Sequence, residues 1–257
     1  MLLAIDLGNT NLTLGLFKGD RLASNWRLSS DLHRTKDEYG LQLAGLIKST
    51  GQATDSIQGI ILSSVVPPIT EWLLQACEDY LGKIPMLVHS QMNLNVQIRY
   101  DDPGAVGADR IADAVAVRSM HSGPACVIDF GTATTFNALT ASGDYLGGAI
   151  LPGISTAAES LVSKTAKLPP VELKAPPSVI GRNTTHAMQA GLLYGYAALV
   201  DGMASRYRTE LGKDMIVIGT GGHIDKIAPL TQSIQQVDPW LTLKGLRIIW
   251  ELNQTND

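Results

Sequence analysis

The sequence has few of the features that mark a disulfide-stabilised, secreted or membrane-spanning protein. Its 257 residues include only two cysteines, Cys77 and Cys126, which lie far apart in apolar surroundings and indicate core packing rather than a disulfide or a zinc site. No apolar run is long enough to span a bilayer, and residues 1–5 lack the basic start of a signal peptide. We therefore expect a cytoplasmic location.

The sequence also lacks a strong charge of either sign. Twenty Lys and Arg residues against 24 Asp and Glu residues give a formal net charge of -4, and no basic cluster marks a surface for nucleic acid or anionic lipid. The five histidines do not occur with Cys or Glu at metal-site spacing, so we predict that they are surface or packing residues. A 45% hydrophobic content predicts an ordered core, and small-molecule chemistry is the favoured function class.

Two common nucleotide-binding motifs are absent as well. The sequence has no GxxxxGK[ST] segment, which excludes the P-loop, and no GxGxxG segment, which excludes the Rossmann dinucleotide fingerprint. The glycines at 219, 221 and 222 do not have Rossmann spacing, because His223 and Ile224 follow them. Any nucleotide site in this chain must therefore be built from other loops.

What the sequence does contain is a short motif that occurs twice. Residues 6–10 read DLGNT and residues 129–134 read DFGTAT, and each copy stands between an apolar run and a second predicted strand. Asp at a strand end can hold a hydrated cation, Gly lets the backbone approach an anion, and Thr or Asn can donate to phosphate oxygens. One copy alone is typical of an ordinary hairpin turn. Two copies at matching positions predict a duplicated phosphate-binding fold.

The predicted elements repeat in the same order after each copy of the motif. Both halves are predicted to have three strands followed by a helix, so we predict an α/β fold with an N-terminal half of residues 1–120 and a C-terminal half of residues 121–257. Predicted strands cover about residues 2–5, 21–28, 59–65, 85–88, 125–129, 134–140, 145–151 and 215–218. Predicted helices cover about residues 35–50, 67–80, 108–120, 154–163, 184–211 and 241–251.

Two further segments are candidates for a functional site. Residues 219–222 follow a predicted strand and could bring backbone close to a nucleotide, although a plain strand-to-helix turn explains them equally well. Asp109 begins a predicted helix, where an acidic residue most often serves to complement the helix dipole. The functional alternative is a general base that takes the proton of a substrate hydroxyl. Arg110 beside it could bind an anion or form a surface salt bridge.

Taken together and in order, these segments resemble type III pantothenate kinases. The matching segments are residues 6–10, 107–110, 129–135, 147–153, 181–184 and 219–222. The resemblance covers nearly the whole chain and breaks none of the family's motifs. It implies the duplicated fold of the acetate and sugar kinase, Hsp70 and actin superfamily, in which each actin-like or ribonuclease H-like domain is a mixed sheet flanked by helices. The implied activity is ATP-dependent phosphorylation of pantothenate to 4′-phosphopantothenate, the first step towards coenzyme A.

The resemblance also implies roles for individual residues in a homodimer. Asp109 would be the general base, and the pantothenate pocket would include Tyr100, Gly107, Ala108, Asp109, Arg110 and Thr184, with Thr184 reached across the dimer interface. ATP would be bound by Asp6, Leu7, Gly8, Asn9, Thr10, Asn11, Leu12, Thr13, Thr132, Gly219, Gly221 and Gly222. Asp129 would hold a monovalent cation, K⁺ or NH₄⁺, and Asp6 would hold Mg²⁺ through water.

Two other functions stay open at this stage. The loops specify ATP, but the pocket around Tyr100, Arg110 and Thr184 sets the acceptor, so the protein could phosphorylate another small hydroxyl compound. A non-catalytic, nucleotide-dependent interaction protein is the alternative from a different class, but the chain has no room for the extra subdomains of actin-like or Hsp70-like proteins. Members of the family have also been described as accessory factors for transcription, and the sequence shows no DNA-binding helix or basic face.

Overall fold

The structure, a computed structural model, describes residues 1–254 and divides into two compact units. The first unit comprises residues 1–95, residues 101–116 and the segment that begins at Leu241, and the second comprises residues 96–100 and 117–240. Each unit is built around one five-stranded mixed sheet flanked by helices, which confirms the predicted fold class. The division differs from the predicted halves, because residues 96–100 and 117–120 belong to the second unit and the last helix belongs to the first.

The observed elements follow the predicted order closely. In chain order the strands are β1 (Leu2–Leu7), β2 (Asn11–Lys18), β3 (Arg21–Ser29), β4 (Gly59–Ser64), β5 (Met86–Leu87), β6 (Ala125–Phe130), β7 (Ala133–Leu139), β8 (Tyr145–Pro152), β9 (Ile216–Thr220) and β10 (Gln236–Val237). The helices are α1 (Lys36–Ser49), α2 (Pro67–Leu81), α3 (Ala108–Met120), α4 (Ile154–Lys164), α5 (Thr184–Leu211), α6 (Ile224–Ile227) and α7 (Leu241–Leu252).

The first sheet has the strand order β3-β2-β1-β4-β5. Strands β1, β2 and β3 form an antiparallel meander, whereas β4 pairs with β1 in parallel and β5 pairs with β4 in parallel. The central strands β1 and β4 are buried along nearly their whole length, since both faces of this part of the sheet are covered. The third strand, β3, is partly exposed and alternates in burial, as expected at a sheet edge.

The helices of the first unit begin and end where the local sequence dictates. Thr35 and Glu38 form a capping box at the start of α1. Helix α2 starts with two prolines and ends at Leu81, and Gly82 after it has a φ of 65°, the left-handed conformation that glycine adopts at a helix C-terminus. Helix α7 packs on the first sheet because Gly59 leaves the space that the ring of Trp250 occupies.

The second sheet repeats the plan of the first in the order β10-β9-β6-β7-β8. Strand β6 pairs with β7 antiparallel and with β9 in parallel, just as β1 pairs with β2 and β4. Asp6 stands opposite Thr13 and Ser63, and Asp129 stands opposite Thr135 and Thr220. The duplicated aspartates therefore occupy equivalent positions near the carboxyl end of a central parallel strand.

The remaining part of the second unit is dominated by the 28-residue helix α5. The side chain of Asn183 caps its start by accepting a hydrogen bond of 2.8 Å from the backbone N–H of His186. No regular element occurs between α4 and α5, in agreement with the predicted long connection. Among the helices of residues 1–254, none is both long and apolar enough to cross a membrane.

Candidate active site

The first copy of the motif forms a tight turn between β1 and β2. The backbone N–H of Gly8 donates to the carbonyl of Asn11 at 2.9 Å, which closes the turn. Ser30, which follows β3, fixes the turn through two hydrogen bonds. Its hydroxyl donates to the carbonyl of Gly8 at 2.6 Å, and its backbone N–H donates to the carbonyl of Thr10 at 3.0 Å. Asn9 and Thr10 are left exposed at the tip. Both residues thus stand at the surface of an anchored loop.

A cavity of about 560 Å³ lies within the first unit, at the carboxyl ends of β4 and β5. Its wall is formed by Ser64 and Val65 after β4, by residues 88–91 after β5, and by residues 104–108 before α3. Small-molecule pockets typically have about 300–1,000 Å³, and open α/β sheets bind ligands beyond the carboxyl ends of their parallel strands. The cavity therefore has the size and place of a small-molecule site.

Asp109 stands in the first turn of α3, directly after the cavity wall. One carboxylate oxygen, Oδ1, accepts the backbone N–H of Arg110 at 2.8 Å. The same oxygen lies 2.5 Å from the point where a Cβ atom on Gly107 would be, so the carboxylate occupies the space that the missing side chain leaves. Glycine at position 107 thus allows the carboxylate to turn back towards the cavity wall.

The surroundings of Asp109 shift its acidity. Burial raises the pKa of the Asp109 carboxyl above its ordinary value, and the backbone N–H and positive charge of Arg110 oppose this rise without cancelling it. A carboxylate with a raised pKa is a stronger proton acceptor than a carboxylate with the ordinary pKa. Arg110 itself is buried, with 8% of its surface exposed, so its side chain does not lie on the protein surface.

The second copy of the motif lies within the second unit and is in contact with the loop 219–222. Gly221 has a φ of 94°, a left-handed conformation that favours glycine. A side chain at this position would overlap the Asp129 carboxylate and would lie 2.5 Å from the backbone nitrogen of Phe130. The structure therefore brings together Asp129 and the glycine loop, which are about 90 residues apart in sequence.

Thr132 is held by the segment that follows β8. Its carbonyl accepts the backbone N–H of Gly153 at 2.9 Å and the hydroxyl of Thr156 at 2.8 Å. A third loop joins this cluster, because the Ser155 hydroxyl lies 2.9 Å from Nε2 of His223, directly after the glycine loop. Three loops of the second unit thus meet: residues 129–133, 152–156 and 219–224. We call this junction the three-loop cluster.

Tyr100 and Thr184 are the predicted pantothenate-pocket residues that belong to the second unit. Tyr100 is 36% exposed, and its ring packs against Gly147 near the start of β8 and is tilted against Tyr145 at a centroid distance of 6.4 Å. The three-loop cluster is at the opposite end of this eight-residue strand. Thr184 is exposed at the first position of α5.

Sequence reasoning missed three residues that the structure places at these sites. His89 lines the cavity of the first unit. Ser155 and His223 form the side-chain hydrogen bond that joins two loops of the three-loop cluster. The position of His89 directly after an apolar strand could have marked it, since polar residues at strand ends often face ligands. Within residues 1–254, no three His, Cys, Asp or Glu side chains are grouped as a metal site.

Comparisons with known proteins identify the family of the chain. The family model for type III pantothenate kinase matches residues 2–206. The type III pantothenate kinase of Moorella thermoacetica is 48% identical over 98% of this chain and 100% of its own length, and that of Myxococcus xanthus is 46% identical over the full length of both. Among solved structures, the (R)-2-hydroxyglutaryl-CoA dehydratase component A of Acidaminococcus fermentans shares the fold, with a TM-score of 0.56 and 13% identity over 95% of this chain and 94% of that one. The chain belongs to the type III pantothenate kinase family.

Proposed function

We propose that this protein transfers the γ-phosphoryl group of ATP to pantothenate and releases 4′-phosphopantothenate, in the first step of coenzyme A biosynthesis. Full-length similarity to enzymes of that name supports the choice of substrates. The observation that carries the proposal is the carboxylate of Asp109 beside a cavity of small-molecule size. Phosphoryl transfer requires mainly the positioning of two reactants and the balancing of charge, so no covalent nucleophile is needed.

Asp109 is the general base in this proposal. It accepts the proton of the pantothenate hydroxyl as that oxygen forms a bond to the γ-phosphorus, while the bond from this phosphorus to the bridging oxygen of ADP breaks. The carboxyl group then returns the proton to solvent. Burial around Asp109 raises its pKa and so strengthens it as a base. The backbone of Gly107 and Ala108 forms the cavity wall next to it.

The remaining acceptor contacts are assigned by the family resemblance. Arg110 is buried beside Asp109 and supplies the fixed positive charge that suits the carboxylate of pantothenate. Tyr100 and Thr184 are assigned to acceptor binding in the same way, Thr184 for the other subunit of a homodimer. Large apolar side chains near the start of α5 support such an interface, since Val179 and Ile180 are 66% and 78% exposed.

The nucleotide is held by the two motif copies and the glycine loop. The contacts are assigned to residues 6–13, Thr132, Gly219, Gly221 and Gly222. ATP is used with a divalent metal ion, and Asp6 fits hydrated Mg²⁺ because this ion needs only one or two carboxylates besides the phosphates. Asp129 is assigned K⁺ or NH₄⁺ by the family resemblance. These cations balance the charge on the phosphoryl oxygens.

The test is ADP release by the purified protein with Mg-ATP, with and without pantothenate, in sodium buffer and in buffer that contains K⁺ or NH₄⁺. We expect turnover only when pantothenate and one of the two activating cations are both present. Other small hydroxyl compounds serve as acceptor controls. Turnover with one of these in place of pantothenate, or ATP hydrolysis at the same rate with and without an acceptor, would contradict the proposal.

A further inference from the structure

The hydrogen bond between Ser155 and His223 joins two loops that no backbone pairing connects directly. Ser155 lies in the first turn of α4, and His223 follows the glycine loop and precedes α6. Their side chains meet at 2.9 Å although the residues are 68 positions apart. Neither residue stands out in the sequence, so their contact is visible only in the folded chain.

This bond completes a closed circuit of hydrogen bonds around the second motif copy. The backbone N–H of His223 donates to the carbonyl of Phe130 at 3.2 Å. On the other side, the backbone N–H of Gly153 and the hydroxyl of Thr156 both donate to the carbonyl of Thr132. The side-chain bond links directly the loops 152–156 and 219–224, each of which is also tied to the motif by its own hydrogen bonds.

We propose that Ser155 and His223 are positioning residues for the nucleotide, which hold the glycine loop at a fixed distance from the Thr132 turn. The inference rests on the proposed function, because the loops that the pair holds are those assigned to ATP. The circuit fixes the backbone of Thr132 and Gly221 before ligand arrives, and preorganised contacts lose less entropy on binding. The pair itself does not touch reacting atoms in this proposal.

The expected consequence is a selective loss of nucleotide affinity. Replacing either residue with Ala removes the side-chain hydrogen bond between them, and the net loss of such a bond corresponds to a rise in the KM for ATP of about 3- to 10-fold. The KM for pantothenate should stay unchanged, because the cavity of the first unit does not include these residues. The double variant should be no worse than either single variant, since the two side chains act through one bond.

Conservative variants separate positioning from general stability. In His223→Gln the terminal amide reaches about as far as Nε2, whereas in His223→Asn it ends near the place of Nδ1. The Gln variant should therefore recover most of the ATP affinity and the Asn variant should not. Ser155→Thr keeps the hydroxyl and should also recover it. Ser163→Ala is the matched control, because Ser163 is exposed on α4 and bonds only the carbonyl of Ser160 in its own helix.

The experiment is calorimetric binding of Mg-ATP to each variant without acceptor, followed by steady-state kinetics. Selective weakening of ATP, with rescue by Gln and Thr, supports the inference. It is overturned if the Ala variants bind Mg-ATP like Ser163→Ala, or if both KM values rise together. Wild-type protein that binds Mg-ATP but does not phosphorylate pantothenate would refute the proposed acceptor, and the binding series would still decide the role of the pair. Wild-type protein that does not bind Mg-ATP would overturn both.

Discussion

Replacement of Asp109 by Asn separates its chemical role from its role in the fold. Asn has nearly the same shape and keeps the oxygen that accepts the Arg110 N–H at 2.8 Å, so α3 should begin at the same residue. It cannot accept a proton from the acceptor hydroxyl. General bases contribute about 10²- to 10⁴-fold in rate, so kcat should fall by that factor, which corresponds to roughly 2.7–5.4 kcal/mol of activation free energy.

The same variant should change stability in a pH-dependent way. Burial raises the pKa of the Asp109 carboxyl in the folded protein and outweighs the opposing effect of Arg110. Below the ordinary Asp pKa of about 3.9 the carboxyl group is protonated in both the folded and the unfolded protein, so its burial does not lower stability through charge. Above the folded-state pKa the buried carboxylate is charged, and this charge destabilises the fold. Asp109→Asn should therefore be at least as stable as wild type at pH 8, and its advantage should shrink as the pH falls towards 4.

The assay combines coupled ADP release with urea unfolding at pH 5 and pH 8. Asp20→Asn is the matched control, because Asp20 is exposed in the turn after β2 and its replacement should leave rate and stability unchanged. An unaltered kcat would remove Asp109 from the chemistry. A loss of stability at pH 8 would refute the argument that burial dominates, since it would mean that the pairing of the carboxylate with Arg110 is net stabilising.

Three further predictions concern the proposed site and the two buried cysteines. Gly107→Ala should displace the carboxylate proposed as the base and lower kcat by about 10-fold or more, as measured against Gly45→Ala, whose site on α1 has open space. Asp129→Ala should bring the ratio of rates in K⁺ and Na⁺ buffers close to one, and a wild-type ratio would place the cation elsewhere. Burial raises the pKa of Cys77 and Cys126 to about 12, so a thiol reagent at pH 8 should label neither in the native protein and both in denaturant; rapid native labelling would contradict their burial.

The sequence predicted the helices and strands better than it predicted which of them pack together. Helix α3 begins and ends at the predicted residues, because its apolar run and its first-turn Asp109 are local signals. Helix α7 was also predicted, but its assignment to the second half differs from the observed unit. Its docking depends on the space at Gly59 that admits Trp250, a contact between residues almost 200 positions apart that no local pattern encodes.

The same distinction holds for the candidate site. The repeated Asp-x-Gly motif predicted that Asp129 and Asp6 occupy equivalent strand ends, and the register of the two sheets agrees. The bond of Ser155 to His223 was not predicted, since each residue is individually unremarkable and the pair forms only when β8 and β9 are placed in one sheet. The strand β10 was missed for a simpler reason: its two residues, Gln236 and Val237, are exposed and show no period.

The glycines of the three-loop cluster are poor probes of nucleotide binding. A side chain on Gly153 would lie 2.5 Å from the carbonyl oxygen of Thr132, and one on Gly221 would lie 2.5 Å from the backbone nitrogen of Phe130, so Ala at either position forces main chain apart. Such variants would lose activity whether or not the loops bind ATP. Loss of the Ser155 hydroxyl leaves the backbone in place and removes only the link between the loops. The side-chain pair is therefore the sharper probe of how the second unit holds its ligand.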